Sequence, residues 1–266
     1  MPASERANLR DQLAAIVREA GELALATAKT PFKRWMKTGH SPVSDADIAV
    51  NNFLHEKLPA LAPDAGWLSE ETEDDLKRTA AGRVWVVDPI DGTRAFLEQR
   101  PDWTISVALV EGERPALAAL YAPVTGELYL AAQRQGATLN GVPLKVADAD
   151  GLGGARLAGP KSYLAKMSQL NPRILPQPKI HSLALRLTRV ADGGLDIAFA
   201  SRNSHDWDLA AADLLVHEAG GAMTDLSGNV LTYNRHETSH LPLVAAAPQR
   251  HAELIDLLRD HRKEFS

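Results

Sequence analysis

Carboxylates stand at three places in this chain where chemistry could be done. Asp88 and Asp91 flank Pro89 and Ile90 in the segment Asp88-Pro89-Ile90-Asp91-Gly92-Thr93. Glu70 and Glu71 follow Gly66-Trp67-Leu68-Ser69, and Asp208 follows Trp207. Adjacent carboxylates repel one another unless a cation lies between them, so their convergence would mean metal. With neither cysteine nor a histidine pair nearby, the donors would be oxygen only, which selects hard ions such as Mg2+ or Mn2+. Pro89 stiffens the turn between the two aspartates and removes a backbone donor, which could leave the Ile90 carbonyl free to face a metal. Gly92 and Thr93 open a helical segment whose first N–H groups could hold a phosphate, and the Thr93 hydroxyl could orient a water. Metals, a phosphate pocket and a positioned water are the parts of metal-assisted phosphoester hydrolysis.

Each feature also has a plainer explanation. An Asp before Pro-x-Asp-Gly is commonly only a turn. Glu70-Glu71 alone would be a solvated edge, and Asp208 alone a favourable charge at a helix start. Their combination, with the aspartate turn placed directly after an apolar strand, favours a metal site.

The elements that must position these groups are legible in outline. Leu9, Leu13, Ile16, Val17, Ala20, Leu23 and Ala24 recur at helical spacing between Ser4 and Ala28, and Pro31 closes that helix. A second helix starts near Ser44 as N-cap and stops at Pro59. Val84-Trp85-Val86-Val87 reads as a buried strand ending at Asp88, and strands follow at 104–110, 116–121 and 127–132, with a hairpin turn at Asn140-Gly141. Beyond the glycine-rich stretch 150–154 come a strand near 156–159, a helix from about Ser182 to Ala191, a strand from Leu195 to Ala200, a strong helix from Trp207 to Ala219 and a last helix from Ala252 to Leu258. Antiparallel neighbours and irregular alternation predict layered α+β rather than a doubly wound parallel sheet. The expectation is one domain over 1–266 with two lobes. The first, 1–150, would carry most of the acidic sites, and the second, 151–266, would carry Asp208.

With 266 residues, 45% of them hydrophobic, the chain can bury a large core, and its net charge of −5 argues against a broad nucleic-acid face. The absence of cysteine excludes disulfides and thiolate chemistry and suits a reducing cytoplasm. No apolar run approaches the roughly 20 residues that span a bilayer, so no membrane partner is expected. Several short patterns lead nowhere. His217-Glu218 has Gly221 where a metalloprotease helix needs its second histidine, and Asp148-x-Asp150-Gly151 lacks the distal Glu of a calcium loop.

Trp85 to Thr93 resembles the central signature of the inositol monophosphatase superfamily. Trp207-Asp208-Leu209-Ala210-Ala211-Ala212-Asp213 with Glu218-Ala219-Gly220-Gly221 resembles its C-terminal signature. Ser69-Glu70-Glu71 is similar to the family's acidic pair and Ser41-Pro42-Val43-Ser44-Asp45-Ala46-Asp47 to its N-terminal element, with order and spacing in agreement from about 9 to 247. The resemblance implies an α/β/α/β/α layered sandwich of the inositol monophosphatase and fructose-1,6-bisphosphatase type, a homodimer, and two or three Mg2+ ions. By it, Glu70, Asp88, the Ile90 carbonyl, Asp91 and Asp208 bind metal, Asp47 supports a further metal or a water, and Thr93 with Glu70 activates the attacking water. Asp91, Gly92, Thr93 and Asp208 would face the substrate. Asn51 departs from the pattern, standing where that helix often carries Glu, and the departure is assigned to the helix surface.

The choice of ester is less marked. Inositol phosphatases place a Glu shortly before the C-terminal Trp-Asp, and Ser201 stands there. Lys37, Ser41-Pro42-Val43, Leu68-Ser69-Glu70 and Tyr121-Ala122-Pro123-Val124 look more like the bacterial 3′(2′),5′-bisphosphate nucleotidase branch, which converts 3′-phosphoadenosine 5′-phosphate to AMP and phosphate, although its Gly-Pro-Thr element is missing. Arg202 could meet a second phosphate through its planar fork or could be a surface arginine. Inositol-1-monophosphatase and histidinol-phosphate phosphatase are the other activities considered, and a metal- and phosphate-binding protein without turnover is the rival of another class.

Overall fold

The computed structural model describes residues 3–30, 32–36, 42–147 and 151–265. Pro31, Lys37, Ser41, Asp148 and Asp150, all used above, lie outside them. The N-terminal elements are α1 (Ala3–Ala28), β1 (Arg34–Met36), β2 (Pro42–Ser44), α2 (Asp45–Lys57), β3 (Gly66–Ser69), β4 (Arg83–Asp91), α3 (Thr93–Leu97), β5 (Thr104–Glu111), β6 (Arg114–Ala122), β7 (Glu127–Ala132), β8 (Ala137–Leu139) and β9 (Val142–Pro143). There follow β10 (Arg156–Ala158), α4 (Lys161–Leu170), β11 (Leu175–Pro176), α5 (Leu183–Thr188), β12 (Ile197–Ala200), β13 (Ser204–His205), α6 (Asp206–Glu218), β14 (Ala222–Asp225), β15 (Ser239–His240), β16 (Leu243–Ala246) and α7 (Pro248–Leu258).

Strands β3 to β9 form a seven-stranded sheet in chain order, with only the β3–β4 pair parallel. Side chains alternate between its faces with period two. Trp85, Val87, Ile105, Val107 and Leu117 meet Leu13 and Val17 of α1 and Leu54 of α2. Val84, Val86, Ala108 and Leu120 face the other way and pack against Leu185 of α5 and Leu209 and Leu215 of α6. A second sheet, ordered β11-β10-β12-β16-β14, covers the far side of α5 and α6 with Ala198, Ala200 and Ala245. Its outer face packs Ile197, Phe199 and Val244 against Tyr163 and Met167 of α4 and Leu254 and Leu258 of α7. Read through the core, the layers are α/β/α/β/α, the sandwich that the resemblance implied. Close approach between the first two layers depends on Gly21, where an added Cβ would lie 2.6 Å from the Tyr121 ring.

Several element boundaries need correction. The strand expected to stop at Asp88 continues to Asp91, with a register break between them: Asp88 pairs with Ser106 and Asp91 with Thr104, so one extra residue bulges out around Pro89 and Ile90. The helix expected over 182–191 spans only Leu183–Thr188, and the last helix begins at Pro248, which occupies its first position. The helix α4 and the strands β14 and β16 had not been read from the sequence. The two strands are four-residue segments set by pairing with distant chain, too short to show a period.

Candidate active site

The bulge in β4 projects Asp88 and Asp91 at the strand's C-terminal end. The Asp88 carboxylate accepts a hydrogen bond from the Ile90 N–H at 3.1 Å, closing the turn through Pro89. Asp91 is held from the opposite layer, where Ser182 Oγ donates to its Oδ2 at 2.5 Å, and the N–H groups of Ala184 and Leu183 donate at 2.7 and 3.1 Å. The start of α5 is thus docked on Asp91, which accepts donors that a helix start leaves free. Gly92 follows with φ +93°, and a Cβ there would lie 3.0 Å from the Ser182 nitrogen, so only glycine permits this approach without strain. Asp208 is the third residue of α6, and its Oδ2 accepts the His205 N–H at 2.6 Å in a capping box.

Asp88, Asp91 and Asp208 each offer an oxygen such that all three lie within 4.8 Å of one another. Glu70 continues from β3 beside β4, its N–H donating to the Val87 carbonyl at 3.2 Å, and it lines one cavity of about 360 Å3 with those three aspartates, Ile90 and Thr93. The Thr93 hydroxyl lies 3.1 Å from both the Ile90 carbonyl and Asp47 Oδ1. Asp47 sits behind Thr93, its Oδ2 accepting the Ser44 N–H at 2.8 Å and the Ser44 hydroxyl at 2.6 Å. It is buried and reaches the cavity through the threonine.

The electrostatics are those of an anionic cluster away from water. Burial raises Asp88 well above its ordinary range, and the charges of Glu70, Asp91 and Asp208 raise it further. Burial lifts Asp91 to about 6 even against its three donors, with Glu70 adding to the rise. Asp208 is raised by burial and by Asp91 and Glu70, while the His205 N–H and Arg186 oppose the shift. A divalent cation supplies the positive charge this arrangement lacks, and an all-oxygen set at such spacing suits a hard ion. The residues therefore fit the metal that the sequence implied.

The structure brings Asp47, Glu70, Asp88, Ile90, Asp91, Gly92, Thr93 and Asp208 to one place. It does not bring Ser201 and Arg202 there. They are exposed residues of the turn after β12 and do not line this cavity. Asn51 also needs correction, since it is buried rather than on the helix surface. Its Oδ1 accepts the Ser69 hydroxyl at 2.7 Å and its Nδ2 donates to Thr72 Oγ1 at 3.1 Å, so it braces the turn carrying Glu70. Sequence reasoning missed Arg94, Lys179 and His181, which line the cavity, and Ser182, which holds Asp91. His181 is itself held by Asp102, whose Oδ2 lies 2.7 Å from its Nδ1 and accepts its N–H at 2.8 Å. Ser182 had a readable signal, a serine before an apolar helical run, but nothing local tied it to Asp91.

Residues 5–263 match the family model described as the inositol monophosphatase family. The chain is 34% identical to the 3′(2′),5′-bisphosphate nucleotidase CysQ of Aggregatibacter actinomycetemcomitans, covering 84% of this chain and 86% of that protein. It is 35% identical to the inositol-1-monophosphatase of Rhizobium meliloti (strain 1021), covering 70% and 73%, and 32% identical to the Nus factor SuhB of Escherichia coli (strain K12), covering 79% and 82%. Among solved structures, the IMPase of Thermotoga maritima superposes with a TM-score of 0.83 at 25% identity, over 96% of this chain and 98% of that one. The layered fold, the acidic cavity and these likenesses define a metal-dependent phosphoric monoester hydrolase. The chain belongs to the inositol monophosphatase family.

Proposed function

We propose that this protein is a Mg2+-dependent phosphomonoesterase that releases phosphate from a small phosphorylated metabolite, with 3′-phosphoadenosine 5′-phosphate as the leading candidate and inositol 1-phosphate as the second. The observation that carries the reading is the convergence of Asp88, Asp91 and Asp208 oxygens within 4.8 Å in a cavity shared with Glu70 and Thr93. Glu70, Asp88, Asp91, Asp208 and the Ile90 carbonyl would hold two or three Mg2+ ions, which when bound supply charge neutralisation of the ester and a water of lowered pKa. Thr93 directs its hydroxyl between Asp47 and the Ile90 carbonyl, which leaves its oxygen lone pairs to accept a hydrogen bond from the attacking water. Asp47 sets that orientation, with Ser44 fixing its other oxygen. Glu70 would accept the water's proton, and Gly92 and Thr93, which line the cavity, would offer their N–H groups to the phosphate. Arg94, Lys179 and His181 ring the same cavity and favour an anionic ester over a neutral one.

Likeness to a bisphosphate nucleotidase over most of both chains supports the bisphosphate. The comparably close inositol-1-monophosphatase supports the second candidate. The same proposal includes a cytoplasmic homodimer and two lobes, 1–150 and 151–266. The draw of one sheet from residues 66–143 and the other from 156–246 supports that division.

The test is phosphate release by purified protein with Mg2+ on 3′-phosphoadenosine 5′-phosphate, inositol 1-phosphate, histidinol phosphate and fructose 1,6-bisphosphate, ranked by kcat/KM. Asp91→Asn is expected to abolish release from all of them with the circular dichroism spectrum unchanged. Full turnover in that variant, or in excess chelator, would refute the mechanism. Silence across all four esters alongside measurable ligand binding would favour a regulatory protein instead.

A further inference from the structure

Residues 71–82 link Glu70 to β4, and all of them are exposed or half-buried except one, Arg78. A charged side chain is an unusual anchor for a surface loop, because burying a guanidinium is costly unless its nitrogens find acceptors. Here they reach in two directions. Within the loop, Nε and Nη2 form a fork on the Asp74 carboxylate at 3.1 and 2.7 Å. Toward the far end of the chain, Nη1 donates to Asn234 Oδ1 at 2.9 Å and Nη2 to the Arg235 carbonyl at 3.0 Å, across 156 and 157 residues. The backbone is shaped to deliver this side chain. Leu76 stands at φ +61°, uncommon for any residue but glycine, with its N–H donating to Asp74 Oδ1 at 3.0 Å. At the start of β3, Gly66 makes room for Arg78, since an added Cβ would lie 2.9 Å from the arginine's Cα.

The connection continues beyond Asn234. Its N–H donates to Asp206 Oδ2 at 2.9 Å, and His240 Nε2 lies 2.7 Å from Asp206 Oδ1. Asp206 is buried and is the first residue of α6, with its own N–H donating to the Thr238 carbonyl at 3.0 Å. Asp208 is in the same helical turn. The route through Arg78, Asn234 and Asp206 therefore joins the loop that begins at Glu70 to the turn that presents Asp208. Because α6 is buried along most of its length, the helix is the fixed member and the loop is the one held to it.

We infer that Arg78 is a positioning residue: through Asn234 and Asp206 it clasps the loop behind Glu70 to the first turn of α6, and so sets the spacing of Glu70 and Asp208 on which the affinity for a divalent cation depends. The inference rests on the metal-site reading above and extends it to a side chain that does not line the acidic cavity. Mg2+ demands near-ideal octahedral geometry, so a ligand on a loosened loop costs affinity even when no ligand is lost.

The experiment measures the Kd for Mg2+ by titration calorimetry on metal-stripped protein, well below its Tm. Arg78→Met keeps the apolar stem, removes every donor and is expected to raise the Kd roughly 10-fold, the lower end of what losing an outer partner of a metal ligand costs. Asn234→Gly removes only the side-chain acceptor, suits a backbone at φ +58° and keeps the N–H that Asp206 accepts. It guards against misfolding of the first variant and is expected to raise the Kd in the same direction, less strongly. Arg250→Met is the control for general loosening. That arginine is also buried, donating to Asp196 Oδ1 at 3.0 Å and the Gly151 carbonyl at 2.9 Å, and neither it nor its partners line the cavity. Its loss should lower the denaturation midpoint and leave the Kd within about twofold, as for a distant independent site. An unchanged Kd in Asn234→Gly, or a Kd raised as far by Arg250→Met as by Arg78→Met, would make Arg78 a structural residue only and overturn the inference. No binding of Mg2+ by the unsubstituted protein overturns the metal-site reading instead.

Discussion

Removing divalent metal is expected to destabilise this protein in a pH-dependent way, with a size set by its carboxylates. Asp91 stands at about 6 in the folded chain against an ordinary 3.8. Below 3.8 it is protonated whether the chain is folded or unfolded and contributes no difference. Between 3.8 and about 6 the unfolded chain sheds a proton that the folded chain keeps, so stability falls as pH rises. Above about 6 the penalty is complete. At about 1.4 kcal/mol for each tenfold step, Asp91 alone costs roughly 3 kcal/mol at neutral pH. Asp88 and Asp208 are raised as well and act in the same direction. A bound cation offsets this cost of burying charge, and saturating ligand at about 100 times its Kd stabilises by a similar roughly 3 kcal/mol. In a chain of this length each kcal/mol moves Tm by about 2–4 °C, so Mg2+ in place of chelator should raise Tm by roughly 5–10 °C at pH 7.5. At pH 5 the carboxyls hold protons that the metal must displace, and the gain should shrink to a few degrees or less. Differential scanning fluorimetry at both pH values reads this directly. A Tm indifferent to Mg2+ at pH 7.5, or an equal gain at both, would refute the argument that these carboxylates are held together for a cation.

Thr93→Val preserves shape but removes the hydroxyl between Asp47 and the Ile90 carbonyl. It should lower kcat roughly 100- to 10,000-fold while keeping the Mg2+-induced gain in Tm, and unchanged kcat would exclude water positioning by Thr93. Asn51→Ala leaves Ser69 and Thr72 without their buried partner and should cost about 1–3 kcal/mol, read by chemical denaturation. The same variant should raise the Mg2+ concentration needed for half-maximal activity, because the turn carrying Glu70 loosens. A stability change within about 0.5 kcal/mol, normal for a surface position, would contradict the bracing role.

The metal core was legible because its residues are grouped in short, chemically marked segments. Asp88 through Thr93 is contiguous, Glu70 ends a strand, and Asp208 opens a helix, so residue type and local element together pointed to their roles. What supports them was not legible. Asn51 looked like a surface residue because its helix turns it toward Ser69 and Thr72, 18 and 21 residues away, a pairing with no local period. Ser182 lies 91 residues from Asp91, and the antiparallel register that bulges at Pro89 depends on strand β5, not on the tetrapeptide itself. Ser201 and Arg202 were selected because they precede Trp207-Asp208 in the chain. Proximity in sequence to a metal-site motif does not carry a residue into the cavity: β13, paired with the distant β15, lies between these two residues and α6.

The helix α5 explains how one scaffold can keep its chemistry while changing its ester. Its first turn is committed to Asp91 through Ser182, Leu183 and Ala184. Its far end is anchored by Arg189, which donates to Glu127 at 2.7 Å with both terminal nitrogens and to Asp192 at 2.9 Å. A six-residue helix pinned at both ends cannot shift without moving a carboxylate of the acidic cluster. Arg186, between the pins, is free of partners among the described residues and lines a further cavity of about 340 Å3 that shares Lys179 with the acidic one, and the loop carrying Lys179 and His181 immediately precedes the helix. Substitution at those positions alters what lies beside the reacting phosphate and leaves the donors to Asp91 in place, because two of the three are backbone N–H groups that no side-chain change removes. Selectivity for the ester can therefore vary at 179, 181 and 186 under far weaker constraint than at 88, 91 and 208.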